Sequence, residues 1–327
     1  MIISAKAGIF MFKSSITKNM NKKNLGLNGR REFLANATVL AGTAALATLP
    51  GTGFAHRAAT QPAALTVKQL IDILLSENPN APLPRTVDQL RTGSMDQPVT
   101  GIVTTMFPTI QVINKTIQAG ANFILAHETP FFNNDDQTDW LKDDDVYRYK
   151  IDLLNKHQIA IFRFHDYWHS HKPDGIIWGN MIKLGWDKYY DLAANQRMVT
   201  LPQPVSLASV VALVKHKLAI PQVRVIGNLR DDCQNVYLAF GYMDSRAQIA
   251  AIQKLKPDLI LSGETREWET VEHVRDGLAM GQHTKLIVLS HAVSEDAGME
   301  YAANWLQPKV PGVKVTHVAS DTPFRYL

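Results

Sequence analysis

Histidines and carboxylates close apolar runs at four separate places in this sequence. ANFILA runs into His127 and Glu128, IAIFRF into His165, DLILSG into Glu264, and LIVLS into His291. Each run reads as a buried strand, and in open parallel sheets the carboxyl ends of the strands share one edge, where ligands bind. Four such coincidences predict one shared site. Spacing sharpens this, because His291 and Glu295 are four residues apart, as are His165 and His169, with His171 close behind. On a helix that separation puts both side chains on one face, about 5 to 6 Å apart at Cβ. Imidazole and carboxylate form the ligand set of zinc, manganese or iron(II). A soft sulfur site is excluded, since Cys233 is the single cysteine, and it can form no intramolecular disulfide. His56, His157, His216, His273, His283 and His317 follow no such pattern and read as surface or hydrogen-bonded side chains.

The elements that must carry these residues alternate. LTVKQLIDILLSE (65–77) has helical spacing with Thr66 as N-cap, VTGIVTTMF (99–107) reads as strand, and IQVINKTIQAG (110–120) as an amphipathic helix closed by Gly120. The strand at 121–128, a helix over 145–158 and the strand at 159–165 follow, and IWGNMIKLGW (177–186) is a short helix. Over 191–250 the pattern is weaker, giving helices at 206–220 and 245–256 and strands at 223–227 and 235–243. Strands at 257–264, 285–291 and 313–319, with helices between them, complete the chain. Strands alternating with helices predict an α/β fold with a largely parallel sheet core.

With 327 residues, 46% of them apolar, the chain can bury a continuous core. The pI near 9 is misleading. Seven of the 34 Lys and Arg residues, but only one of the 30 Asp and Glu, lie in residues 1–55, so the remainder is slightly acidic and predicts no nucleic-acid partner. That front segment resembles a twin-arginine export signal. Arg30 and Arg31 precede the modestly apolar LANATVLAGTAALATLP, and in GTGFA the residues Gly53 and Ala55 suit a signal peptidase. Asn36, the threonines and Gly42 make it a poor membrane anchor, and no second apolar run approaches the about 20 residues of a span. The resemblance implies a periplasmic protein, exported folded with metal already inserted, and no membrane contact after signal removal. GxGxxG, the P-loop and the GxSxG elbow are absent, and HDYWHSH differs from the HxHxDH of metallo-β-lactamases because its acid precedes the second histidine.

The order GIVTTMFPTIQVINKTIQAGANFILAHETPFF, FRFHDYWHS, DLILSGE and SHAVSEDAGMEYAANWL resembles the Nif-three-like dinuclear metal centre family, also labelled GTP cyclohydrolase I type 2, over most of 66–185 and 255–327. Its pattern is a strand into HHPLFF, then HTNLD, a TGD or TGE, and a final GHxxxE. His127 matches the first histidine of HH, His165 that of HTNLD, Glu264 the acid of TGE, and His291 with Glu295 the final HxxxE. Two positions depart: Glu128 stands where the second histidine is expected, and His169 where the aspartate is. This reciprocal swap keeps three histidines and two carboxylates.

The resemblance therefore implies that His127, Glu128, His169, His291 and Glu295 hold two divalent metal ions (Zn, Mn or Fe), with Glu264 and His165 as catalytic partners that move a proton or orient a ligand. It implies two interlocked α/β lobes and a ring-shaped homo-hexamer. The corresponding boundaries are a signal and cleavage region at 1–57, a linker at 58–65, a first lobe at 66–190, the middle of a second lobe at 191–255, and a C-terminal segment completing the site at 256–327. The expected function is a metal-dependent hydrolase of a small-molecule substrate, phosphate-bearing or a cyclic amide or nucleotide. The alternative is a non-catalytic hexamer that binds or stores metal. Arg266 is placed either to favour an anionic substrate or simply to be solvated. Phe131, Phe132, Tyr167 and Trp168 read as core, with Trp168 also able to line a pocket.

Overall fold

The computed structural model describes residues 64–78, 81–193, 197–325 and 327. The expected export signal at 1–57 and most of the linker lie outside the described residues. In chain order the elements of the first half are α1 (Val67–Ser76), β1 (Leu90–Thr92), β2 (Ile102–Thr105), α2 (Ile110–Gln118), β3 (Phe123–Ala126), α3 (Asp145–Lys156), β4 (Ala160–Arg163), α4 (Asp166–Ser170) and α5 (Gly175–Leu184). The second half holds β5 (Met198–Ser206), α6 (Leu207–Lys217), β6 (Arg224–Ile226), β7 (Asp232–Tyr242), α7 (Ser245–Leu255), β8 (Leu259–Glu264), α8 (Glu272–Ala279), β9 (Lys285–Val288), α9 (His291–Leu306) and β10 (Val315–His317). Helix starts are fixed by side chains: Thr66, Thr109, Asp144, Asp174, Ser206 and Asp244 each accept a first-turn backbone N–H.

These strands form two five-stranded sheets, ordered β1-β4-β3-β2-β10 and β5-β7-β8-β9-β6. The interior neighbours are parallel, while β1, β5 and β6 are antiparallel strands at sheet edges. Residues of β2, β3, β4 and β9 are buried throughout, because helices cover both faces of a parallel sheet. Register then aligns their ends. Thr105 pairs with Ala126 and Ala126 with Arg163, so the residues after β2, β3 and β4 leave the first sheet side by side. The same holds for Ser262 of β8 and Val288 of β9 in the second.

Sequence periodicity misses two strands. β1 is three residues long, and β5 contains Pro202 and Pro204, which a strand tolerates only where a missing N–H breaks no ladder. The pairing of β5 shifts between Thr200 and Val205, across those prolines, and β5 lies at the sheet edge.

Between the sheets run α5 and α9, with α9 touching β2 and β10 of one sheet and β7 and β8 of the other. Ile176, Met299 and Leu306 belong to the core of the first sheet, and Ile177, Met181 and Leu184 to that of the second. The two helices meet at glycines. A Cβ on Gly179 would lie 2.5 Å from the Ala297 carbonyl oxygen, and one on Gly298 would lie 2.5 Å from Ile176 Cα. Gly179→Ala must push α5 off α9, and the expected loss is about 1–3 kcal/mol of unfolding free energy. Urea denaturation followed by circular dichroism measures it, and an unshifted midpoint would mean that the helix pair yields freely. No helix among the described residues is long and apolar enough to cross a membrane.

Candidate metal centre

The first half of the site is built where β3 and β4 end. His127 and Glu128 follow β3 directly, and their backbone N–H groups donate to the Thr105 and Met106 carbonyls, 3.0 and 2.9 Å away. After β4 the chain is turned by Asp88, whose carboxylate accepts the N–H groups of His165, Asp166 and Tyr167, each at 2.9 Å. This clamp starts α4, on which His165 and His169 come one turn apart. Their rings lie 4.8 Å apart, and each stacks or abuts His127, at 4.5 and 5.0 Å.

The second half comes from β8, β9 and α9. Glu264 ends β8, and after β9 the chain enters α9 through Ser290, whose φ of 109° is a strained conformation for a residue with a Cβ. The strain aims the first turn of α9, and with it His291 and Glu295, across to the first sheet. Gly241, at the end of β7, adopts φ +63°, and any Cβ there would collide with the Glu295 carboxylate, so only glycine lets β7 approach it. Ser294 ties the same turn down by accepting the Gly241 N–H at 2.9 Å.

The halves meet. His291 Nε2 lies 3.2 Å from Glu128 Oε1 and 3.2 Å from Glu295 Oε2, and His127 Nε2 lies 3.7 Å from Glu295 Oε2. His127, His165 and His169 offer nitrogens within 4.8 Å of one another, and His127, Glu128 and Glu295 offer a second such group. Nδ1 of each of the four rings faces an acceptor: the Phe164 carbonyl for His127, Asp166 for His165, Asp174 for His169 and Glu264 for His291, at 3.2, 2.9, 3.1 and 3.2 Å. Holding Nδ1 protonated points the Nε2 lone pair inward, as metal-binding imidazoles require. His127 Nε2 and Glu295 Oε2 are buried with no hydrogen-bond partner. Orphaned buried atoms of a base and an acid, facing each other, fit a cation between them.

Electrostatics agree with that geometry. Burial, reinforced by the neighbouring His165 and His169, holds the His127 pKa well below 6.5, so the ring stays neutral. Burial opposes the charge of His291, but its close contacts with Glu128, Glu264 and Glu295 push its pKa up to about 12. Burial would raise Glu128, yet the contacts with His291, His165 and Arg163 bring it down to about 2. The cluster is short of positive charge, and without a metal a proton on His291 supplies it.

All seven residues expected from the sequence are thus drawn into one cluster. His165, expected to orient or move a proton, stands in the ring trio with His127 and His169. Glu264 lies at the rim, its side chain 48% exposed. Arg266 is turned away, with hydrogen bonds to Glu269 and to the Tyr242 hydroxyl. Trp168 is fully buried core, donating its indole N–H to the Gly298 carbonyl at 3.2 Å.

Sequence reasoning passed over Asp88, Asp174, Gly241 and Arg163. Arg163 left a signal: a cation inside the apolar run IAIFRF must be paired if the strand is buried. It is fully buried, bonding Glu128 Oε2 at 2.8 Å and Asp136 Oδ2 at 3.4 Å.

Comparison with known proteins agrees with this architecture. Residues 85–323 match the profile of the family described as Duf34/NIF3 (NGG1p interacting factor 3). A "GTP cyclohydrolase 1 type 2 homolog" of Clostridium perfringens is 25% identical over 215 residues, covering 63% of this chain and 77% of that protein. The crystal structure of Staphylococcus aureus protein SA1388 superposes with a TM-score of 0.63 at 18% identity, over 80% of this chain and 99% of that one. A Bacillus cereus protein related to NIF3 gives 0.63 at 17% identity, over 80% and 99%. At these identities the structural likeness speaks for the fold alone.

Proposed function

The chain belongs to the Duf34/NIF3 family, and we propose that its His/Glu cluster is a divalent-metal centre serving hydrolysis of a small-molecule substrate. The observation that carries this reading is the pair of buried atoms His127 Nε2 and Glu295 Oε2, neither of which meets hydrogen-bond geometry, inside a cluster whose other imidazoles also point Nε2 inward. The donors are nitrogen and oxygen, which suits zinc, manganese or iron(II). Cys233 contributes nothing, since it lies buried in β7. His127, His165 and His169 would form one side of the centre and Glu128, Glu295 and His291 the other, with room in the proposal for two ions.

A metal there would supply Lewis acidity and a nucleophile usable at neutral pH. The protein's own contribution is positional. Asp166, Asp174 and Glu264 fix the tautomers of three rings, and Arg163 holds one oxygen of Glu128, leaving Oε1 directed at His291. Glu264 couples the cluster to solvent: it holds the His291 Nδ1 proton and is exposed enough to take up a proton from the cleft. The periplasmic destination and the hexameric ring remain part of the proposal.

The test is elemental analysis of the purified full chain, followed by turnover of phosphodiesters, nucleotides and cyclic amides with and without chelator. The expected result is stoichiometric metal and hydrolysis that chelation abolishes. Absence of bound metal would sink the centre, and stoichiometric metal without turnover would leave a binding protein and sink the hydrolase. Metal retention is also expected to weaken by about tenfold or more per pH unit on acidification, since imidazole and carboxylate ligands must shed protons. Competition with a fluorescent chelator across pH 5–8 reads this, and flat retention would contradict it.

A further inference from the structure

The cluster opens onto a cleft of about 870 Å³ at the carboxyl ends of β2, β3, β8 and β9. His291 and Glu264 lie on its wall, together with Phe107, Phe132, Phe324 and Lys150. That volume suits a ligand of drug or nucleotide size. Three aromatic rings and several prolines make the wall largely apolar. Against this background Lys150 is conspicuous, because α3 buries it until only 4% remains exposed.

Its ammonium donates to the Pro130 carbonyl at 2.6 Å and lies 5.4 Å from the Phe132 ring. No carboxylate among the described residues forms an ion pair with it. The nearest candidate, Asp136, is answered already by Arg91 at 3.0 Å and Arg163 at 3.4 Å and by the Thr129 hydroxyl. Burial pulls the lysine pKa down to about 8, which leaves it charged at neutral pH. A buried cation facing a cleft without a counter-ion is costly unless an anion occupies the space in front of it. The Pro130 bond explains one of its three donors and not its charge.

We propose that this cleft takes a small molecule bearing a planar apolar ring and an anionic group, phosphate or carboxylate, which docks on the Lys150 ammonium while the reacting bond lies against His291 and Glu264. The placement of the reacting bond rests on the metal-centre reading above; the anion site does not. Arg224 and Arg325 also lie on the wall, but both are exposed, and Arg224 is paired with Glu267 at 2.6 Å, so Lys150 is the buried cation among them.

Calorimetric titration of the intact protein, metal-loaded and chelated, with phenyl phosphate, benzoate, inorganic phosphate and phenol tests this. Phenyl phosphate or benzoate should bind, the tighter of the two identifying the anion. Phenol should not bind, and inorganic phosphate should bind more weakly than phenyl phosphate. Lys150→Gln keeps a donor for Pro130 and removes the charge, and Lys150→Met keeps the volume; both should weaken anion binding by about tenfold or more with metal content unchanged. Failure of every anionic probe to bind, wild-type affinity in both variants, or phenol binding as well as phenyl phosphate would overturn the proposal. Lysine-dependent binding in a protein that holds no metal would sustain the anion site and remove the metal centre instead.

Discussion

His291→Ala is expected to purify with less than about a tenth of the wild-type metal, since loss even of a group supporting a ligand costs 10- to 100-fold in affinity. His291 is the hub of the second half of the centre: it contacts Glu128, Glu264 and Glu295, and among the described residues no other ring touches all three. Elemental analysis of the purified variant measures the effect, and wild-type metal content would remove His291 from the centre. The metal-free variant should also melt below the metal-free wild type, because three carboxylates lose the proton-bearing ring that links them. Their pH dependence is distinctive. A pKa raised from 6.5 to about 12 means that the His291 contribution is fully present below pH 6.5 and fades as pH climbs toward 12. Glu128, depressed from 4.5 to about 2, contributes fully above pH 4.5 and loses its contribution as pH falls toward 2. From these two groups the chelated protein should be most stable between pH 4.5 and 6.5, whereas the increment from added metal should grow with pH. Melting curves with and without chelator separate the two trends.

Arg163→Ala should cost about 3–5 kcal/mol, the penalty for stranding buried carboxylates when their partner is removed. The guanidinium is fully buried and serves Glu128 and Asp136 together. Urea denaturation at pH 7 measures the loss, which should shrink in acid as the stranded carboxylates protonate. A loss that does not vary with pH would show that the arginine acts through packing rather than charge. The consequence for the centre is separate: with Arg163 gone, Glu128 Oε2 keeps only the Thr129 N–H at 3.2 Å, so metal content should be compared in the same preparation.

The residues that gather in the cluster were legible in the sequence because a polar group at the end of an apolar strand has few structural excuses. Parallel strands carry those groups to one edge, and register did the rest in β2, β3 and β4. What local pattern does not encode is partnership between distant segments. The expectation of one sheet edge became two, since β3 and β4 belong to one sheet and β8 and β9 to the other. Asp88 sits in a loop without periodicity, and its three backbone partners lie more than seventy residues onward. Nothing in the helical stretch 145–158 singles out Lys150; only packing against Pro130 and Phe132 sets it apart. β5 was obscured by its prolines. Arg266 stayed open in the sequence between substrate recognition and simple solvation, because proximity to Glu264 says nothing about which way a side chain leaves the strand end; its bonds to Glu269 and Tyr242 favour the second.

The return of β10 to the first sheet has a consequence for how the protein matures. β10 follows every other element, yet it covers the outer side of β2, and α9 just before it brings His291 and Glu295. During synthesis, then, the early strands wait with a bare flank, and the histidine trio is made before the His291 and Glu295 that face it. If the cluster takes a metal as proposed, the complete set of ligands exists only once α9 has been made, and a nascent chain stalled short of α9 would offer both a sticky edge and an incomplete chelator.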